Sequence, residues 1–97
     1  MPTFVALLTW TDQGARTAKD TVKRYDAAMG VAQKMGVTIR NTWWTMGTYD
    51  AVTVLEAPDE ASASRFAIAI SGQGNVRTLT MRAYTKDEMA KIVSGLP

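Results

Sequence analysis

Two stretches of this chain repeat their apolar residues every three or four positions, and β-prone runs flank each of them. The first stretch carries Val22, Tyr25, Met29, Ala32 and Met35; the second carries Ala63, Phe66, Ala67 and Ile70. That spacing gathers side chains on one face of a helix. The flanking runs are Thr3 to Trp10 (TFVALLTW), Val37 to Thr45, Tyr49 to Glu56 (YDAVTVLE) and Val76 to Tyr84 (VRTLTMRAY), rich in Val, Thr and aromatic residues. The order is therefore β-α-β-β-α-β, the split βαβ or ferredoxin-like pattern. Met46-Gly47-Thr48 is a short return, so the second and third strands form an antiparallel hairpin. Right-handed crossovers place both helices on one face of a four-stranded antiparallel sheet and leave the other face bare.

Local signals set the element ends. Thr21 is placed as an N-cap, and Gly36 ends that helix with a positive φ. Ala57-Pro58-Asp59-Glu60 starts the second helix, with acidic groups where the helix dipole favours them; Gly72-Gln73-Gly74-Asn75 stops it. Thr85 and Glu88 form a capping box, so a short C-terminal helix follows with Met89, Ile92, Val93 and Leu96 as its apolar side. Thr11-Asp12-Gln13-Gly14 only breaks the first strand's pattern. No internal linker is visible, and residues 1–97 read as one α+β domain.

Alternation within strands assigns side chains to faces. Val37 and Ile39 suggest that odd positions of the second strand face the helices, which sends Arg40, Thr42 and Trp44 outward and makes Trp43 a core residue. Val52 and Val54 are expected inside, with Ala51, Thr53 and Leu55 outside. Leu79, Met81 and Ala83 are expected inside, with Thr78, Thr80 and Arg82 outside. The first strand is ambiguous. A bare face mixing Trp, Leu, Thr and Arg is too apolar to stay wet, and a second copy of the chain on a two-fold axis covers it most simply.

Composition excludes several chemistries. With no histidine and no cysteine, Ser-His hydrolysis, disulfides, histidine-ligated haem and the usual zinc sites are out of reach. Acid–base work would fall to Asp, Glu, Tyr or Lys. The pairs Asp59-Glu60 and Asp87-Glu88 fit helix N-termini rather than a metal site. Gly72-x-Gly74 leads from helix to strand, the reverse of a dinucleotide-binding loop. The net charge of +2 is scattered, and the outer positions of the fourth strand lack the aromatic signature of RNA-binding sheets. Neither cofactor nor metal nor nucleic acid is expected. No apolar run is long enough to cross a membrane, no basic segment precedes the first apolar run as in a signal peptide, and a cytoplasmic location is expected.

Gly47-Thr48-Tyr49-Asp50, read with Glu56-Ala57-Pro58-Asp59 and Gly74-Asn75-Val76-Arg77-Thr78, resembles the GYD domain family. Phe4 to Thr11 followed by Asp12-Gln13-Gly14, and Thr80 with Arg82-Ala83, extend the resemblance over nearly the whole chain. Thr21-Val22 departs from it, since similar sequences often have Ser-Pro there. The resemblance implies a compact ferredoxin-like domain similar to dimeric α+β barrels, and it carries over no catalytic residues. Gly47 supplies a left-handed turn. Asp50 has the parity of Val52 and is expected partly buried, accepting backbone N–H bonds or capping the hairpin; a pair with Arg77 would join strands that are not expected to be neighbours. The expected role is a homo-oligomeric domain that binds a small molecule or acts as an interaction module. Arg40, Trp44, Asn75 and Arg77 are its candidate ligand-binding residues. The alternative is a cofactor-independent enzyme, of isomerase or monooxygenase type, acting on a small organic acid or aromatic substrate. In it Tyr49 or Asp50 would serve as acid or base beside Arg82.

Overall fold

The computed structural model describes residues 1–97 and folds them in the order β1 (Thr3–Trp10), α1 (Asp12–Arg16), α2 (Thr21–Lys34), β2 (Thr38–Trp44), β3 (Ala51–Glu56), α3 (Glu60–Ser71), β4 (Val76–Ala83) and α4 (Lys86–Ser94), with a 3-10 turn at Ala18–Asp20 ahead of α2. The four strands form one antiparallel sheet in the order β2-β3-β1-β4. This is the ferredoxin-like arrangement that the periodicities imply. Gly36 has φ 72 and follows α2 as expected. Asp59 caps α3 by accepting from the Ser62 N–H, and the Thr85–Glu88 capping box forms in both directions.

Two local expectations are corrected. Thr21 is the first residue of α2, not its cap; Asp20 holds the cap position without a side-chain bond. The Thr21 hydroxyl instead accepts the indole N–H of Trp44 at 3.0 Å. The break after β1 is a short helix, α1, whose cap Thr11 accepts from the Gly14 N–H. Five residues containing a glycine are too few to show helical periodicity.

The sheet's facing departs from the alternation reading in three strands. Neighbouring strands in register share a face, so the pairings trace rows across the sheet. Ile39, Leu55, Phe4 and Arg82 form one row; Thr42, Thr53, Ala6 and Thr80 the next; Trp44, Ala51, Leu8 and Thr78 a third. Phe4, Ala6, Ala51, Thr53 and Leu55 are buried, so these rows face the helices. The opposite face carries the rows Asn41, Val54, Val5, Met81 and Trp43, Val52, Leu7, Leu79.

The physical reasons differ by strand. In β2 a bulge lies between Ile39 and Asn41. One extra residue, Arg40, reverses the alternation beyond it. Val37 and Ile39 do face the helices, but past the bulge Trp44 turns inward and Trp43 outward. In β3 and β4 the larger apolar residues were expected inside. They lie outside, because the inner face carries small and hydroxyl-bearing side chains around a cavity. Leu79 is 50% exposed and Met81 42%.

The close-packed core, Phe4, Leu55, Val37, Ala32, Ala57 and Phe66, is joined by Ile39 and Met35. It sits toward the end of the sheet where β1 begins. At the other end, the loops after β1 and before β4 lock together. The Thr11 hydroxyl donates to the Gly74 carbonyl at 2.6 Å, the Thr11 N–H donates to the Asn75 carbonyl, and the Gln13 amide donates to the Asn75 side chain at 2.9 Å. Gly14 is buried against this junction, and a Cβ there would lie 2.0 Å from the Asn75 carbonyl oxygen. Gly14→Ala is therefore expected to destabilise the fold by about 1–3 kcal/mol, the usual cost of overpacking. Urea denaturation checks this; a midpoint equal to that of the unmodified chain would contradict the close approach.

Candidate functional site

The layer between sheet and helices is not filled. Its floor is the two inner rows built on Ala6 and Ala51, and its roof carries Ala28 of α2 with Ala63 and Ala67 of α3. Alanines facing alanines and threonines leave a cavity of about 110 Å³. Its walls are mostly apolar, with Leu8, Tyr25, Phe66 and Ile70 among them. The polar exceptions are few. The hydroxyls of Thr42 and Thr53 bond each other at 3.0 Å, while Thr78 and Thr80 line the cavity from the fourth strand. Trp44 stands at the mouth, tied to Thr21 and set edge-on to Tyr25 with ring centroids 5.6 Å apart. The aromatic pair thereby fixes one side of the opening.

Arg24 is the wall's one cation, and no carboxylate lines the cavity with it. Its Nη1 donates to the Thr17 carbonyl at 2.8 Å and to the Thr17 hydroxyl at 3.0 Å, and Nη2 donates to the Gly14 carbonyl at 3.3 Å. Sequence reasoning passed over Arg24. Its position three residues into α2 signals nothing until the α1 turn folds back over it.

The residues singled out from the sequence do not form one constellation. Trp44 and Asn75 line the cavity. Tyr49, Asp50 and Arg82 do not. Asp50 lies beyond the row of Leu8 and Ala51: its N–H donates to the Leu8 carbonyl at 2.8 Å, and its carboxylate accepts the Trp10 N–H at 2.8 Å. The Tyr49 carbonyl accepts from the Thr45 hydroxyl at 2.7 Å across the turn that contains Gly47, with φ 101. Arg82 is at the far end, in the row of Phe4. It donates to the Thr3 and Ala83 carbonyls and to Glu88, and it stacks on Tyr84 with 4.7 Å to the ring centroid. The two rows are four residue steps apart along β1, about 13 Å of strand, so Arg82 cannot act beside Asp50. Arg40, on the bulge, pairs with Glu56 at 2.5 Å. Arg77 is exposed opposite Thr9, on the face away from the helices.

A family model described as the GYD domain matches residues 4–93. A protein of Thermus thermophilus, described as a glutamine synthetase and cystathionine beta-lyase binding protein, is 34% identical over 84 residues, covering 86% of this chain and 88% of its own. Among solved structures, the C-terminal domain of the MgtC protein from Mycobacterium tuberculosis aligns with a TM-score of 0.48 and 16% identity, covering 84% of this chain and 86% of that one.

Two expectations follow from this geometry. Asp50→Ala removes the acceptor of a part-buried backbone N–H and should cost about 1–3 kcal/mol, with Asp50→Asn closer to the unmodified chain because its carbonyl can still accept; chemical denaturation of both variants checks the order. The second concerns acid. A hydrogen bond from Arg40 holds the Glu56 carboxyl below its usual range, the Ser62 N–H does so for Asp59, and the Thr85 N–H followed by Arg82 does so for Glu88. Each is depressed in the folded state, so its contribution is complete above the unfolded carboxylate range and is lost as pH falls through the folded values. The melting temperature should stay level from neutral pH down to about 5 and decline below about 4.5; a maximum below pH 4 would contradict these bonds.

Proposed function

Because this chain belongs to the GYD domain family, we propose that it is a homo-oligomeric interaction module of the cytoplasm, whose outer sheet face packs on a second copy and whose protein partner is an enzyme. One observation carries this reading. The face away from the helices holds Val5, Leu7, Val52, Val54, Leu79 and Met81 in adjoining rows, with Trp43 beside them. An apolar centre of this kind, with Thr9, Arg77 and the Arg40–Glu56 pair around it, has the composition of an association surface. A two-fold arrangement lets the same rows meet themselves. The partner type comes from the Thermus relative, whose description names two enzymes as what that protein binds. The apolar stripe of α4, Met89, Ile92 and Val93, is exposed as well and adds surface for such a contact.

The enzyme alternative has less support. None of Tyr49, Asp50 and Arg82 reaches the cavity wall, and the last is at the opposite end of β1 from the other two.

Leu79→Glu combined with Met81→Glu places two charges on the outer face along its edge strand β4, without touching the core. Sedimentation should find the unmodified chain as a dimer at micromolar concentration and the double variant as a monomer of unchanged circular dichroism. Surface plasmon resonance against glutamine synthetase and cystathionine β-lyase from the same organism tests the partner. A monomeric unmodified chain that binds neither enzyme would refute the proposal.

A further inference from the structure

We infer that the cavity between sheet and helices is a binding site for a small monocarboxylate with a flat apolar body of about one ring. The site is separate from the association face, since the two lie on opposite sides of the same sheet. Three observations meet here.

Size sets the body. About 110 Å³ is well below the roughly 300 Å³ at which drug-sized pockets begin. It is comparable with the ~150 Å³ apolar cavity that takes up a benzene ring. Wall chemistry agrees: Leu8, Phe66 and Ile70 offer an apolar slot, with the edge-on Trp44–Tyr25 pair beside the opening.

Charge sets the head group. Arg24 lines this cavity, and the ion pairs of the structure are Arg40–Glu56 and Arg82–Glu88, so its guanidinium has no carboxylate. Three of its five N–H groups are taken by the acceptors on Thr17 and Gly14, which fix its position, and two remain to donate. An immobilised, part-buried guanidinium with spare donors at the edge of an apolar slot is matched by a carboxylate. Asn75 and Gln73 also stand on the wall and offer neutral polar groups that do not compete with Arg24 for the anion.

The threonines set the orientation. Thr42 and Thr53 satisfy each other, and Thr78 and Thr80 line the cavity from β4, so a ring substituent such as a phenolic hydroxyl there has side-chain hydroxyls to bond. The carboxylate points to Arg24 and the substituted ring edge to the sheet.

Benzoate is the probe and benzyl alcohol its uncharged counterpart, titrated into the full chain at neutral pH and followed by amide and indole chemical shifts. Benzoate should give saturable shifts at Thr78, Thr80 and the Trp44 indole, and benzyl alcohol should bind at least tenfold more weakly. 4-Hydroxybenzoate should bind more tightly than benzoate, and Thr80→Val should reduce that gain. Arg24→Gln should bring benzoate down to the level of the alcohol. Since Arg24 also steadies the α1 turn, Ala67→Leu serves as a second variant: it fills the cavity, leaves Arg24 in place, and should abolish binding of both probes. Absence of saturable benzoate shifts, equal affinity for acid and alcohol, shifts confined to Arg24 and its neighbours, or undiminished binding to Ala67→Leu would each overturn the site. Loss of this site leaves the sedimentation result untouched, and a monomeric chain leaves the titration untouched.

Discussion

The inner face of the sheet is made of side chains too small or too polar to fill the space beneath two helices. Ala6, Ala51, Thr42, Thr53, Thr78 and Thr80 occupy the positions where a simple ferredoxin-like core would put leucine and valine. Two consequences follow from packing alone. The helices cannot close onto the floor, so a cavity remains. The bulky apolar residues of β1, β3 and β4 that alternate with the small ones lie on the outer face, where Leu79 and Met81 are exposed and Val5, Leu7, Val52 and Val54 are half-buried.

The two faces are different in kind. The inner side offers a half-open, mainly apolar space with one uncompensated cation, the surroundings proposed above for a small acid. The outer side offers a wide apolar sheet surface, which suits another protein surface. Between them, several residues that carry the resemblance to the family tie loops together. Thr11, Gln13, Gly14, Gly74 and Asn75 knit two loops together, and Asp50 ties the hairpin end to Trp10. They hold the open end of the layer in shape around the cavity mouth.

The fold was legible from the sequence because it depends on signals that act locally: helical spacing in α2 and α3, the capping box before α4, Gly36 with its positive φ, and the hairpin around Gly47. The facing of the strands was not. Alternation identifies the two faces of a strand but does not say which is buried when both are apolar. Val52 and Val54 look like core beside Ala51 and Thr53, and only the neighbouring strands reveal that the smaller set lies under the helices. In β2 a single extra residue, Arg40, defeats any reading by parity. The bulge put Trp44 on the wrong side and the two-sided apolar pattern of β4 did the same for Arg82. A site formed where the ends of three elements converge has no sequence spacing of its own.

The facing of the two adjacent tryptophans tests this account most directly. In nuclear Overhauser spectra, the Trp44 indole should give cross-peaks to the Tyr25 ring and to Thr21, and the Trp43 indole should give them to the Val52 methyls and none to Tyr25. Cross-peaks from Trp43 to Tyr25, with Trp44 near the side chains of Leu7 or Leu79, would mean that the bulge at Arg40 is absent and that Thr42 and Trp44 do not line the cavity.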